Sequence, residues 1–117
     1  MKDIDKRISI IAKACDDKRG FNIKILDIRN INPIADYFVI TSGNSTSQVI
    51  AIADEVEEKM EKAGFQLFGK EGYKSGRWIL LDFGDIVVHV FHKEDREFYN
   101  LEKLWADGEE LLLDGLF

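Results

Sequence analysis

One group of residues in this 117-residue chain has the side chains for phosphate chemistry. Gly43-Asn44-Ser45 stands at the start of a predicted helix, and Asp82 and Asp85 follow later in the chain. The first turn of a helix presents free backbone amides that can hold a phosphate, and two neighbouring carboxylates can hold Mg²⁺. These residue types would suit metal-dependent transfer of a nucleotide.

The spacing of the two aspartates argues against that reaction. Nucleotidyltransferases, whose architecture the helix start resembles, place two carboxylates two residues apart on one strand face, whereas Asp82 and Asp85 lie three apart across a turn. Neither GxxxxGK[ST] nor a strand-linked GxGxxG occurs. The other interpretation of the aspartates is structural, because such residues shape and hydrate hairpin turns. We therefore predict no catalytic residue, metal or cofactor, and keep a nucleotide-binding or nucleotidyltransferase-type enzyme as an alternative.

The histidines and the lone cysteine offer little further chemistry. His89 and His92 are separated by an odd number of strand positions, so they point to opposite faces unless the strand ends between them. Cys15 is remote in sequence, and no CxxC or HExxH spacing occurs, so no zinc site is predicted. Beside Val87 and Phe91, His89 could be either a hydrogen-bonded side chain in a sheet or a polar contact inside an interface.

Helices and strands that would position these residues follow from the hydrophobic periodicity. We predict a helix from its N-cap Asp3 to Gly20, strands over 22–29 and 37–41, and a second helix from Ser45 to Gly64. Residues 65–68 are predicted to begin a further strand, which is followed by a hairpin of 77–82 and 86–91 and by a last helix from its N-cap Asp95 to Trp105. Strand 37–41, YFVIT, is apolar throughout and is expected mid-sheet. The order predicts one α+β domain over 1–117, with a mixed five-stranded sheet flanked by helices.

Both faces of the predicted hairpin are apolar. Trp78, Leu80 and Asp82 alternate with Ile79 and Leu81 along its first strand. An antiparallel hairpin usually has one polar face, so we expect helices over one side and more protein or a partner over the other. Trp78 is then either a core aromatic or an anchor in a partner's pocket. In the last helix, a core-facing stripe is predicted from Phe98, Leu101, Leu104 and Trp105.

Composition narrows the partners. Sixteen basic and twenty-two acidic residues give a net charge of −6, which disfavours binding to the phosphate backbone of nucleic acids. We predict no direct sequence-specific nucleic-acid binding. A basic partner is favoured, although an acidic excess also keeps an ordinary domain soluble. The lone Cys15 and the lack of a basic leader before an apolar run predict a cytoplasmic protein rather than a secreted or membrane protein.

Three segments in order carry a family resemblance: DYFVITSGNSTSQVIAIAD, EGYKSGRWILLDFGDIVVHVF and REFYNLEKLW. They resemble the Iojap family of ribosomal silencing factors. The resemblance implies a nucleotidyltransferase-like fold without catalytic activity. It also implies binding to the large ribosomal subunit through its fourteenth large-subunit protein, which sterically blocks joining of the small subunit and represses translation when nutrients are short.

By analogy with that family, the predicted contact surface combines the hairpin with the last helix. Its residues are Trp78, Leu80, Asp82, Asp85, His89 and Phe91 from the sheet side, and Tyr99, Asn100 and Glu102 from the helix. Trp78 and Leu80 would be anchors, and the carboxylates would pair with Arg or Lys at the rim. A homodimer through the same apolar face remains an alternative, and is compatible with ribosome binding if one partner exchanges for the other.

Overall fold

A mixed β-sheet with two long helices on one face forms the body of the domain. The computed structural model describes residues 6–31, 35–104 and 109–111. The helices are α1 (Lys6–Asp17), α2 (Thr46–Lys62), α3 (Lys93–Tyr99) and α4 (Leu101–Leu104). The strands are β1 (Phe21–Asp27), β2 (Tyr37–Gly43), β3 (Gly69–Glu71), β4 (Trp78–Asp82), β5 (Ile86–His92) and β6 (Glu109–Leu111).

The sheet has the strand order β3-β4-β5-β2-β1-β6. β2 and β5 are parallel, and every other neighbouring pair is antiparallel. The predicted single α+β domain with a mixed sheet is confirmed. Every residue of β2 is buried, as its uninterrupted apolar sequence predicts for a central strand. The short strand β6, which the sequence did not reveal, pairs with β1 at the edge.

Helices α1 and α2 cover one face of the sheet. Ile8, Ile11 and Cys15 of α1 are fully buried, and the apolar stripe of α2 packs beside them. At the start of α2, the Ser45 hydroxyl accepts a hydrogen bond from the Gln48 amide at 3.1 Å, which confirms the predicted cap. The Gln48 side chain reaches back one residue beyond the cap and accepts from the Asn44 amide at 2.6 Å.

Two predicted boundaries are wrong. The third strand begins at Gly69 rather than at Phe65, because the chain first closes the end of α2 with a hydrogen bond from the Phe65 amide to the Met60 carbonyl. The last helix is capped by His92 rather than by Asp95: the His92 Nδ1 accepts from the Glu94 amide at 3.2 Å.

The predicted continuous last helix is also wrong. Asn100 adopts a left-handed backbone conformation with φ of 44°, which separates α3 from α4. Phe98 is consequently 80% exposed instead of facing the core. Leu101 packs against a second apolar cluster, separate from the core under α1 and α2, that includes Ile28, Phe38 and Phe91. The predicted N-cap Asp3 and the aromatic Trp105 lie outside the described residues. In the part of the chain that the structure describes, no helix has the length and apolar character needed to cross a membrane.

Candidate partner-binding face

The two sides of the β4–β5 hairpin have different surroundings. Ile79, Leu81 and Val88 belong to the core beneath α1 and α2. The opposite side carries a cluster of aromatic rings together with aliphatic side chains such as Leu26, Ile40 and Val87. We call this side the aromatic face and define it by Phe38, Trp78, Leu80, His89, Phe91, Phe98 and Tyr99.

Trp78 is the centre of the aromatic face. It stands opposite Phe91 in the antiparallel β4–β5 register, and the two rings stack with centroids 4.8 Å apart. Tyr99 lies against the same indole at 4.9 Å, and Phe98 contacts Tyr99 edge-on at 5.0 Å. Offset and edge-on contacts of this kind stabilise aromatic clusters beyond the area that they bury. The rings therefore form one connected patch from the strands to the end of α3.

His89 lies beneath this patch as a neutral side chain. Its ring is 4% exposed, contacts Phe38 edge-on at 4.8 Å, and accepts a hydrogen bond at Nδ1 from the Trp78 indole nitrogen at 3.1 Å. Burial lowers the pKa of His89 from 6.5 to about 4, because the charged imidazolium would lose its hydration. Since Nδ1 is an acceptor, the neutral ring carries its proton on Nε2. That nitrogen is buried and has no hydrogen-bond partner among the residues that the structure describes.

The aromatic face is partly open to solvent. Trp78 and Leu80 are half-buried, Tyr99 is 48% exposed and Phe98 is 80% exposed. Single exposed apolar residues are common on folded proteins, but a contiguous group of aromatic rings is typical of a binding surface. The structure thus brings together Trp78 and Leu80, the two predicted anchors, on one side of the sheet.

Tyr99 and Asn100 are positioned by the buried residue Arg96. Arg96 is 7% exposed, and its Nη1 donates to the Ser42 hydroxyl at 3.0 Å, which fixes α3 over the end of β2. The Asn100 amide donates to the Arg96 carbonyl at 2.9 Å, and this bond closes α3 directly after Tyr99. Glu102, the third predicted contact of the last helix, lies in α4, and its side chain is outside the described residues.

The two predicted rim carboxylates have different positions. Asp82 lies on the same strand face as Trp78, and its Oδ1 accepts from the Gly84 amide at 2.8 Å, so it shapes the hairpin turn. Gly84 adopts φ of 91°, as the predicted turn requires. The Asp85 carboxylate forms an ion pair with Arg7 of α1 at 3.7 Å, toward the helix-covered side. A rim role remains a prediction for both carboxylates.

The groups weighed for catalysis are occupied by structural contacts. Asn44 and Ser45 bind Gln48 at the start of α2, as described above. Cys15 is fully buried, and desolvation raises the pKa of its thiol to about 12, so it remains protonated at neutral pH. Among residues 6–31, 35–104 and 109–111, no group of three or more His, Cys, Asp or Glu side chains is placed to hold a metal ion. The aromatic face can bind another surface through ring stacking and apolar burial.

Sequence reasoning missed the exposure of Phe98 and the contact of Phe38 with His89. Strand parity places Phe38 and His89 on a common side only once β2 and β5 are known to be parallel neighbours. The exposure of Phe98 had one signal in the sequence, which is Asn100. Asparagine is among the few residues that enter the left-handed region readily, and it therefore often marks the end of a helix.

Comparisons with a family model and with known proteins agree on one family. The family model described as "Ribosomal silencing factor during starvation" matches residues 1–116. The ribosomal silencing factor RsfS of Bacillus subtilis is 50% identical over 107 residues, which cover 92% of this chain and 91% of that protein. The chloroplastic protein Iojap of Zea mays is 33% identical over 103 residues, covering 88% of this chain and 45% of the maize protein.

Solved structures agree with these relatives. A crystal structure of a Chromobacterium violaceum protein superimposes with a TM-score of 0.86 at 34% identity, covering 90% of this chain and 88% of the other. A Bacillus halodurans crystal structure gives a TM-score of 0.81 at 42% identity, covering 91% and 96%. The relatives carry the name of a translation regulator rather than that of an enzyme. This chain therefore belongs to the ribosomal silencing factor family, which includes the Iojap proteins.

Proposed function

We propose that this protein represses translation in the cytoplasm by docking its aromatic face on the fourteenth protein of the large ribosomal subunit. The bound domain occupies the joining face of that subunit and sterically prevents the small subunit from associating. The observation that carries this proposal is the connected, partly exposed patch of Trp78, Tyr99 and Phe98, on a chain whose family is named for ribosome silencing.

The chemistry of the patch suits a ribosomal protein as partner. Half-buried tryptophan and tyrosine are the residue types most enriched among interface anchors. Ribosomal proteins are generally basic, so a domain with a net charge of −6 is attracted to them before contact forms. Asp82, on the strand face of Trp78, is the carboxylate best placed to meet an Arg or Lys at the rim.

Silencing by this route follows mass action. A factor that binds only the free large subunit removes it from the joining equilibrium, with a free-energy shift of RT ln(1 + [factor]/Kd). At a factor concentration of about one hundred times Kd the shift is roughly 2.7 kcal/mol, which reduces subunit joining about a hundredfold. The concentration of the factor therefore sets the extent of repression.

Purified ribosomal subunits test the proposal directly. Sedimentation of the two subunits with increasing amounts of the protein should move joined ribosomes toward free subunits, and the protein should travel with the large subunit. Binding to the isolated fourteenth large-subunit protein is then measured by calorimetry. Co-sedimentation with the small subunit, or with neither, would contradict the proposed function.

Paired aromatic substitutions locate the contact. Phe98→Ala removes a ring that is 80% exposed, and Phe68→Ala removes a 66% exposed phenylalanine that lies beside the hairpin turn at Gly84 and is not among the aromatic-face residues. Loss of an anchor typically costs about 2 kcal/mol, or roughly thirtyfold in Kd. We expect that loss for Phe98→Ala and for Tyr99→Ala, with little change for Phe68→Ala. A Phe98→Ala variant that binds as tightly as the unsubstituted protein would exclude Phe98 from the contact.

Trp78→Ala needs a stability control, because the indole also stacks on Phe91. Urea unfolding of the variant separates the two roles of Trp78. Weaker subunit binding by a variant that remains folded at the assay temperature supports an anchor role. A variant that is unfolded identifies Trp78 as core, and the binding test then depends on Phe98 and Tyr99.

We further propose that the protein has no catalytic activity. The hydrogen bonds of Asn44 and Ser45 within their own helix start and the turn contact of Asp82 support this. Calorimetry with nucleoside triphosphates and Mg²⁺ should give no binding heat at millimolar ligand. Saturable heat that disappears in Ser45→Ala would favour the nucleotide-binding alternative.

The aromatic face also supports a homodimer in the absence of the ribosome, because an exposed apolar patch is stabilised when a second copy covers it. Sedimentation over a concentration series should then show a dimer that Phe98→Ala weakens and that the fourteenth large-subunit protein dissociates. A dimer that persists in the bound complex would place self-association on another surface.

A further inference from the structure

A groove between α1 and α2 lies on the side of the sheet opposite to the aromatic face. Its volume is about 590 Å³. We call it the lysine groove and define it by Lys6, Lys13 and Ala14 of α1, Lys59 and Lys62 of α2, and Ala63, the residue that caps the end of α2. The Gln48 side-chain amide donates to the Lys18 and Arg19 carbonyls at 3.2 and 2.9 Å, so the start of α2 lies beside the end of α1 and the two helices are antiparallel.

The charge of the groove is opposite to that of the whole protein. Four lysines line it, and Asp17 is the acidic residue among its lining. The chain as a whole has a net charge of −6. An acidic partner is therefore repelled by much of this protein and attracted to the groove, which is the condition for electrostatic selection of one binding site.

The lysines of the groove are held by weak contacts that a partner can replace. Lys13 pairs with Asp17 at 3.1 Å, Lys59 with Glu55 at 3.7 Å and Lys62 with Glu58 at 3.8 Å. All three pairs join residues one helical turn apart, and the Lys13 and Lys62 pairs are exposed, whereas the Glu55 side chain is 14% exposed. Exposed pairs such as those of Lys13 and Lys62 contribute little to stability, so exchanging their internal carboxylates for ones on a partner carries a small penalty.

The shape of the groove fits a helix. Ala14 and Ala63 place only methyl groups in the lining of the groove, and the half-buried Ile10 adds an apolar side chain to it. Small residues allow two helices to approach closely. α1 has 12 residues and is about 18 Å long, enough to match about three turns of a second helix. An amphipathic helix binds such a groove through apolar residues spaced three and four apart.

We propose that the lysine groove docks an acidic amphipathic helix of a partner protein. The ligand helix places small or aliphatic side chains over Ala14 and Ala63, and its flanking Asp and Glu side chains pair with Lys6, Lys13, Lys59 and Lys62. The groove and the aromatic face lie on opposite sides of the sheet, so the protein can hold this partner and a ribosomal one at the same time. This site goes beyond the proposed silencing function and does not depend on it.

The test uses four fluorescent probes with the full chain. The first is a three-turn amphipathic peptide with leucine on one side and glutamate on the other. The second is the same peptide with lysine in place of glutamate, the third is a single-stranded RNA oligonucleotide, and the fourth is a phosphatidylglycerol vesicle. We expect saturable binding of the glutamate peptide alone, with amide NMR shifts at Ile10, Ala14 and Ala63.

Several results would overturn the proposal. Equal binding of the lysine peptide would show that charge does not select the ligand. Binding of only the RNA or only the vesicle would assign the groove to another class of partner. Shifts confined to Trp78 and Tyr99 would show that the glutamate peptide occupies the aromatic face, and no binding up to millimolar peptide would remove the site altogether.

Matched variants attribute the binding to the groove. Lys13→Gln combined with Lys62→Gln should weaken the glutamate peptide about tenfold. The control combines Lys74→Gln with Lys103→Gln, which removes the same charge from exposed lysines outside the groove, and should change Kd less than about twofold. Equal weakening in both pairs would reduce the effect to net charge and refute the site.

A steric variant makes the test independent of charge. Ser9→Trp places a bulky ring at the groove, where Ser9 contributes to the lining, and leaves all four lysines in place. Peptide binding should be lost while circular dichroism and the thermal transition show a folded domain. Retained binding in this folded variant would contradict helix docking in the groove.

Discussion

Mild acid should destabilise this domain through a single histidine. His89 is 4% exposed, and burial lowers its pKa from 6.5 to about 4. Its Nδ1 accepts the hydrogen bond of the Trp78 indole, so protonation there would also leave two donors facing each other. The perturbation is a decrease in pH from neutral to about pH 5, a range in which the folded ring stays neutral.

The sign and size follow from proton linkage. Between the unfolded pKa of 6.5 and the folded pKa of about 4, the unfolded chain binds a proton that the folded chain does not. Stability therefore falls as the pH falls through this window. The loss attributable to His89 is about 2 kcal/mol at about pH 5 and roughly 3 kcal/mol near pH 4, where the folded ring begins to protonate as well.

Urea unfolding over this pH range, for the wild type and for His89→Gln, measures the effect. Glutamine can accept the indole hydrogen bond but does not titrate, so the difference between the two proteins isolates the contribution of His89. The wild type should lose about 2 kcal/mol more than the variant between pH 7.5 and about pH 5. Parallel pH profiles of the two proteins would refute a buried, neutral His89 as the source.

The remaining predictions concern glycines, the thiol and the helix break. Gly72→Ala should lower the free energy of unfolding in urea by several kcal/mol, because φ is +79° and the new Cβ would overlap the Trp78 carbonyl oxygen. Gly64→Ala should lower it by only about 1 kcal/mol, because φ is +89° but no other atom lies within 4 Å of the new Cβ. Cys15, whose burial raises its pKa to about 12, should react with a disulfide reagent only as the protein unfolds, and rapid reaction of the native state would contradict its burial. Asn100→Gly should retain stability, and Asn100→Val should lose about 1–2 kcal/mol in chemical denaturation because φ is 44°; equal stability of the two variants would contradict the left-handed conformation.

Local sequence patterns predicted the body of the fold because each reflects a short-range cause. The YFVIT run predicted a buried central strand, the Ser45 cap predicted the start of α2, and the Asp82–Asp85 turn predicted the hairpin. The edge strand β6 had no such signal. Its three residues, Glu109 to Leu111, form a strand only because β1 supplies an unpaired edge, which is a property of the tertiary structure.

The candidate site was predictable only in part. Strand parity grouped Trp78 with Leu80 in one strand and His89 with Phe91 in the other, and the family resemblance joined the two pairs into one surface. Parity cannot predict how deeply each residue is buried: Phe91 is fully buried, while Trp78 is half-buried. The hydrogen bond between Trp78 and His89 depends on the register of the two strands. Leu80 stands directly opposite His89, so Trp78 and His89 are diagonal neighbours on the same side of the sheet.

The break at Asn100 explains why this domain has an aromatic surface. An uninterrupted helix would carry Phe98 and Leu101 on one stripe, and a core-facing stripe would bury both. The left-handed Asn100 instead leaves Phe98 80% exposed while Leu101 packs on the second cluster. Tyr99, at the end of α3, stacks on Trp78 and joins Phe98 to the hairpin. Burial in the core therefore does not account for Phe98, and a partner that covers it would gain its apolar area with little cost to the fold.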